Sequence, residues 1–280
     1  MNHINENDFT LLRDYINDIC GISIPAEKAY LIETKLGKLM EDSGVDAYGD
    51  FYRHIASNRD PAMCQEVINA ITTNETSWFR DASPWKLLEE TYLPKFVEAL
   101  SSGRQNRIRV WCAAVSTGQE AYSTAICVDD YLDRNHVAGV GLADFEFFAT
   151  DISERVLKIA KRGVYDKISI SRGLSERYRE KYFANKGKEW SINPKIRNTV
   201  CFRQFNLQDD FRPLGRFDVI FCRYALIYFS TELKRDVINK MRAVLADGGI
   251  LFTGNYVLYD LFEDGFEMNH YGNMTYYTKR

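Results

Sequence analysis

One stretch narrows the possible folds more than any other: RIRVWCAAVSTGQEAYSTAI, residues Arg107 to Ile126. Ile108, Val110 and Cys112 alternate as in a buried strand, the small and polar run Ala113 to Gly118 breaks that pattern, and Ala121, Ala125 and Ile126 continue at helical spacing. Strand, turn and helix in that order form the opening unit of a doubly wound α/β sheet, whose ligands collect at the carboxyl ends of the strands.

The chemistry of that turn restricts the ligand. A pyrophosphate needs several glycines so that the backbone can approach it, and here Gly118 stands alone without GxGxxG. Phosphate binding is therefore disfavoured. A cofactor without phosphates, such as S-adenosylmethionine, still needs small residues for close approach, and Glu120 would favour its cationic end. The same residues also suit a plain tight turn with Glu120 as a first-turn helix acid.

With 280 residues, 45% of them hydrophobic, the chain has room for one large domain or two modest ones. A net charge of −3 gives no support for a nucleic-acid partner. No apolar run approaches the roughly 20 residues of a membrane span, the start MNHINENDF is too polar for a signal peptide, and a cytoplasmic location is expected. The six cysteines include no CxxC pair, and Cys112 and Cys222 sit in apolar runs that suit reduced, buried thiols. His3, His54, His136 and His270 show no ligand spacing, so no metal is expected.

In chain order, the first 71 residues read as four helices, beginning near Asp8, after Pro25, near Tyr48 and at Pro61. On the second, Lys28, Lys35 and Lys38 are interspersed with Glu27, Glu33 and Glu41, the pattern of a solvated, salt-bridged surface, with a basic docking face as the alternative. ITTNETSWFRD, Ile71 to Asp81, joins this bundle to the rest, with Trp78 and Phe79 suited to a core and Arg80 a candidate for the cleft between domains. A helix over Ser83 to Leu100, interrupted at Pro94, leads into the central strand. FEFFATDIS gives a second strand ending in Asp151, where such folds hold ribose hydroxyls; alternatively Asp151 or Ser153 caps the following helix. Gly163 to Arg197 breaks the rhythm and reads as an insertion, with hairpin strands expected near Trp190 to Phe205. The strand and helix alternation then resumes through Phe217 to Phe252, and NMTYYTK is expected as an edge strand.

Four separated motifs, ITTNETSWFRD, AAVSTGQEAYS, ATDIS and FDVIFCRYALIYF, supported by FRQFNL, together resemble the CheR family of chemotaxis receptor methyltransferases. The resemblance covers essentially the whole chain. It implies an α/β, doubly wound Rossmann-like methyltransferase sheet preceded by a helical bundle: an all-helical domain over residues 1–80, a linker helix over 81–106, and a methyltransferase domain over 107–280 with a small β-subdomain inserted at about 163–205. It implies S-adenosylmethionine as donor, S-adenosylhomocysteine as product, and glutamates on the cytoplasmic helices of transmembrane chemoreceptors as acceptors. By position, Asn74, Thr76 and Arg80 would touch the cofactor, with Arg80 reaching its methionine end or the substrate. Glu120 would hold its amino group, Asp151 its ribose, and Asn206 with Leu207 would border the adenine. Arg223 and Tyr224 would line the wall after the fourth strand, and Tyr228 would face the methyl group.

Three positions depart from the pattern that the resemblance implies: Ala121 replaces a common proline, Tyr224 a common asparagine, and the second helix is only weakly basic. The changes at Tyr224 and on the second helix leave open a cofactor-binding sensor or scaffold of the same fold with weak turnover, and a methyltransferase for another protein carboxylate is a further alternative.

Overall fold

The computed structural model describes residues 3–58, 60–254 and 265–280. Four helices come first: α1 (Glu6–Cys20), α2 (Tyr30–Asp42), α3 (Tyr48–Asn58) and α4 (Pro61–Ile71). Each starts or stops where local chemistry dictates. The Asn5 side chain accepts the Asp8 amide at the start of α1, and Asp60 does the same for Ala62 ahead of Pro61 on α4. Their inward faces close a core of Leu12, Ile16, Ile32, Leu36, Phe51, Ile55 and Val67.

After the irregular segment 72–82, α5 (Ser83–Leu87) and α6 (Leu93–Ser101) are separated by a π-helical turn, Leu88–Tyr92. The interruption expected at Pro94 takes this form. A wider turn ahead of the proline absorbs its missing amide, so the helix continues instead of ending.

The sheet domain then runs β1 (Ile108–Ala113), α7 (Gln119–Arg134), β2 (Phe145–Asp151) and α8 (Glu154–Arg162). The inserted piece follows as β3 (Val164–Asp166), α9 (Lys167–Ser171), α10 (Glu176–Tyr182), β4 (Phe183–Asn185), β5 (Glu189–Ile192) and α11 (Pro194–Arg197). The main fold resumes with β6 (Val200–Gln204), β7 (Phe217–Phe221), α12 (Thr231–Val244), β8 (Leu245–Phe252), β9 (Phe266–Tyr271) and β10 (Met274–Lys279).

Seven strands form one sheet in the order β6-β2-β1-β7-β8-β10-β9; β10 is antiparallel to both of its neighbours, and the first five strands are parallel. Alternate residues feed opposite faces. Val110, Cys112, Phe147, Val219 and Phe221 pack with α7 residues such as Tyr122 and Ile126, while Trp111, Phe148, Ile220 and Leu251 pack with Val237, Ile238 and Met241 of α12. Winding proceeds outward from β1 in one direction to β2 and β6, then in the other to β7. The reversal leaves a crevice at the carboxyl ends of β1 and β7.

One strand expectation is corrected: Met274 to Lys279 pairs on both sides, and β9 occupies the edge. The hairpin strands expected near Trp190 to Phe205 are present as β5, which pairs with β3 and β4 in a separate three-stranded antiparallel sheet, whereas β6 joins the main sheet beside β2.

The insertion grips the segment that follows the bundle. Trp78 is fully buried, edge-on to Tyr165 and Phe183 at centroid distances of 4.9 and 5.0 Å, and its indole N–H donates to the Ser169 carbonyl at 3.1 Å. Gly173 (φ +89°) makes this contact sterically possible, because a Cβ there would lie 2.1 Å from the Trp78 carbonyl oxygen. Gly173→Ala is expected to cost about 2–4 kcal/mol, since neither the left-handed backbone nor the facing carbonyl has room to give. A lowered urea midpoint with an unchanged m-value is the outcome to look for.

Candidate active site

A cleft of about 360 Å³ opens at the crevice, roofed by the segment 72–80 and the end of α1. All ten residues singled out from the sequence line it: Asn74, Thr76, Arg80, Glu120, Asp151, Asn206, Leu207, Arg223, Tyr224 and Tyr228. Sequence reasoning did not single out the apolar wall of Ile152, Phe205, Ile227 and Phe229, nor Cys20 and Ile22 from the bundle.

The β1–α7 turn is built from small residues in strained conformations. Ala114 and Ser116 both have φ +54°, in the left-handed region. Gly118 (φ +95°) serves packing: a Cβ there would meet Ala160 on α8 at 2.9 Å and Phe202 on β6 at 3.2 Å. The cleft-facing surface is thus made by Ala114 to Ser116, and the glycine lets α8 close against the turn. The Ser116 amide is already committed, donating to Asp151 Oδ2 at 2.8 Å, and the Ser116 hydroxyl donates to the Asn74 carbonyl at 2.8 Å. A phosphate arriving here would meet carboxylates, whereas hydroxyls and cations would meet acceptors.

Asp151 ends β2 with its two oxygens held separately, Oδ2 by Ser116 and Oδ1 by the Ser153 amide at 2.9 Å. Each oxygen keeps a further lone pair for a ligand hydroxyl. The capping alternative is met by Ser153, whose side chain caps α8. Burial pushes the Asp151 carboxyl above its usual range, although the Ser153 and Ser116 amides pull it down. Hydroxyl donors need the ionised form. Cofactor affinity is therefore expected to be full above the raised pKa and to fall as the pH drops through it, starting at a higher pH than an exposed aspartate near 3.9 would set. Binding titrations from pH 8 downward read this directly.

Glu120, at the start of α7, is likewise raised by burial, against the pull of Arg223. That arginine, with 1% side-chain exposure, donates to Glu120 Oε2 at 2.9 Å, to Asp81 Oδ2 at 2.7 Å and to the Arg80 carbonyl at 2.7 Å. Its Nε is buried without a hydrogen-bond partner. Tyr224, with φ +60°, donates its phenol to the same Asp81 oxygen, and the Arg80 guanidinium stacks on its ring at 3.8 Å. Among the described residues no carboxylate lies within ion-pairing distance of Arg80, whose Nη1 reaches only the Glu75 carbonyl at 3.3 Å. The charge of Arg80 is thus available to an incoming anion.

Asn206 is engaged elsewhere. Its amide donates to the Ile19 carbonyl and to Gln208 and accepts the Gln208 amide, tying the loop after β6 to α1. The Tyr228 carbonyl accepts the Ser23 amide at 2.8 Å, and Ile22 bridges Phe229, so the bundle forms part of the cleft wall. Of the six non-glycine residues with positive φ among those described, Phe79, Asp81, Ala114, Ser116 and Tyr224 belong to the segments that bound the cleft. Such conformations cost on the order of 1–3 kcal/mol each and persist where surrounding contacts enforce them, as ligand sites do.

No group of His, Cys, Asp or Glu among the described residues is placed to hold a metal ion, and no helix among them is long and apolar enough to cross a membrane.

Comparison with known proteins agrees with this geometry. Residues 7–72 match the family model "CheR methyltransferase, all-alpha domain", and residues 74–267 match "CheR methyltransferase, SAM binding domain". Chemotaxis protein methyltransferase 1 of Pseudomonas aeruginosa is 40% identical over 93% of both chains, and chemotaxis protein methyltransferase Cher2 of Pseudomonas putida is 38% identical over 88% of both. Among solved structures, TrmN from Thermus thermophilus is similar at 16% identity and a TM-score of 0.38, covering 72% of this chain and 51% of that one. The chain belongs to the CheR methyltransferase family.

Proposed function

We propose that this chain transfers the methyl group of S-adenosylmethionine to glutamate side chains on the cytoplasmic helices of chemoreceptors, forming glutamate methyl esters and S-adenosylhomocysteine, and that it works in the cytoplasm. The observation that carries this reading is the convergence, in one cleft, of two carboxylates from different elements, Glu120 in the first turn of α7 and Asp151 at the end of β2, beneath an arginine without an anionic partner among the described residues. The cofactor's features suit these groups: ribose hydroxyls for Asp151, an ammonium for Glu120, and an apolar shelf of Ile152, Phe205 and Leu207 for a purine.

When bound, the cofactor supplies a methyl group on a sulfonium. A glutamate carboxylate, with a pKa near 4.3, is already a nucleophile at neutral pH, so no general base is needed. The new O–CH₃ bond forms as the S–CH₃ bond breaks, and no proton moves. The chain's own residues are left with alignment and exclusion of water. Arg80 orients the incoming carboxylate while its stacking on Tyr224 fixes where its charge lies, and Tyr228 contributes an aromatic wall. Holding the carboxylate too tightly would favour the ground state, so an arginine shared with an aromatic face is better matched to alignment than to neutralisation.

Purified chain, methyl-labelled cofactor and receptor-bearing membranes test the reading. Label on receptor that is released as methanol by base is expected. Base-stable label would mean a different bond, and cofactor binding without transfer would leave a scaffold.

A further inference from the structure

We propose that Asn69, on the helical bundle, is a positioning residue for the cofactor site, acting through Ser153 on the loop that carries Asp151. The inference rests on the reading of Asp151 as a hydroxyl-binding acid and extends it to a residue in another domain. Asn69 lies near the end of α4 at 4% exposure, where an amide is costly to bury unless its polar atoms are used. Its Nδ2 donates within α4 to Glu66 at 3.5 Å, and its oxygens are used across the domain boundary. Its Oδ1 accepts the Ser153 hydroxyl at 2.7 Å, and its backbone carbonyl accepts Arg155 Nη2 at 2.6 Å. One turn earlier, Gln65 donates to the Ile152 carbonyl at 3.2 Å and also to Asn69 Oδ1 at 3.3 Å. Gln204, from β6, donates to that same Ile152 carbonyl at 3.0 Å and to the Gln65 side-chain oxygen.

The segment held in this way is the one that matters for the acid. Ile152 lines the cleft, and the Ser153 amide donates to Asp151 Oδ1. A single residue, Ser153, thus links a bundle amide through its hydroxyl to the cleft carboxylate through its main chain. The same Ser153 oxygen accepts the Val156 amide at 3.5 Å at the start of α8, so the residue is tied to the bundle on one side and to the helix on the other, which restrains the loop backbone that carries its amide. Loss of the Asn69 acceptor releases the hydroxyl to rotate, and the loop loses the contact that fixes one oxygen of Asp151. The bundle is then part of the cofactor site as well as of the wall.

Asn69→Ala and Ser153→Ala are each expected to weaken S-adenosylmethionine binding about tenfold by calorimetry, the scale of one well-made buried hydrogen bond. The cofactor KM should rise in parallel, with kcat at saturating cofactor within about twofold of the parent. The double variant should be little worse than either single one, since both remove the same link. A purely structural contact would lower the thermal midpoint and leave the cofactor KM alone. An affinity within twofold of the parent for either single variant, or additive losses in the double, overturns the proposal. If Asn69→Ala does not fold, Ser153→Ala decides alone. An Asp151→Asn control separates the two levels: loss there with intact binding in the Asn69 and Ser153 variants defeats this inference only, and intact binding in Asp151→Asn defeats the reading beneath it.

Discussion

Asp151→Asn is expected to weaken S-adenosylmethionine binding by on the order of a hundredfold while leaving the thermal midpoint of the cofactor-free protein close to its original value. The loss follows from hydrogen bonding to a charged acceptor, about 1.5–3 kcal/mol per bond, with one acceptor of the pair replaced by an amide donor. The stability argument runs the other way. Burial raises the Asp151 pKa in the folded chain, so the folded state favours the protonated form more than the unfolded chain does. Its contribution to stability is therefore fully present below the unfolded pKa and is lost as pH rises through the folded one; at neutral pH the ionised group is a net cost. The asparagine removes that cost but leaves either the Ser116 or the Ser153 amide without its acceptor, about 1–3 kcal/mol in the opposite direction. The two act in opposite directions. Calorimetry of binding together with a thermal melt checks both halves, and unchanged affinity would return Asp151 to a role in shaping the loop.

Asp151 was legible from its place: an acid closes the run of Phe145, Phe147 and Phe148 at the carboxyl end of the second strand, where doubly wound folds hold ribose hydroxyls. The bundle and the parallel strands were legible for a different reason: periodicity, caps and apolar runs agree along Pro61 to Ile71 or Phe217 to Phe221. Strand order was less legible. Whether Met274 to Lys279 lies at an edge depends on where β9 packs, and β6 is separated from its neighbour β2 by the whole insertion.

The electrostatics of the cleft were the least legible part. Glu120 and Arg223 are 103 residues apart in the chain, and Asp81, which binds both Arg223 and Tyr224, carries no local sign of that role beyond following Arg80. Tyr224 stands where the resemblance implies an asparagine, whose amide contact is either lost or taken over by the backbone. In the structure its phenol secures Asp81 and its ring supports Arg80, so the substitution brings its own means of placing the arginine. Of the three lysines considered for α2, Lys28 lies in the short turn before it, and Lys28 and Lys38 are exposed. Lys35 instead reaches the Thr72 carbonyl at 3.4 Å, beside the segment that carries Asn74 and Arg80.

Arg80→Ala is expected to lower kcat for receptor methylation by about 10²–10³-fold, the range in which loss of an aligning charged group usually falls, with cofactor affinity changed less than about threefold. The fold should survive because what the structure needs from residue 80 is its main chain: the Arg80 carbonyl accepts the Trp85 indole and Arg223 Nη2, and alanine keeps that carbonyl. The side chain, by contrast, makes one weak bond to the Glu75 carbonyl and the stack on Tyr224, neither of which ties domains together. Arg80→Lys should recover little, since an ammonium neither stacks as a plane nor offers a carboxylate two parallel donors. Tyr224→Phe divides the contribution further, keeping the ring under the guanidinium while releasing Asp81 from the phenol, and a loss in turnover well short of that in Arg80→Ala is expected. Single-turnover transfer rates at saturating cofactor distinguish alignment from binding: an Arg80→Ala chain that transfers at the parent rate once loaded would remove this arginine from the reaction.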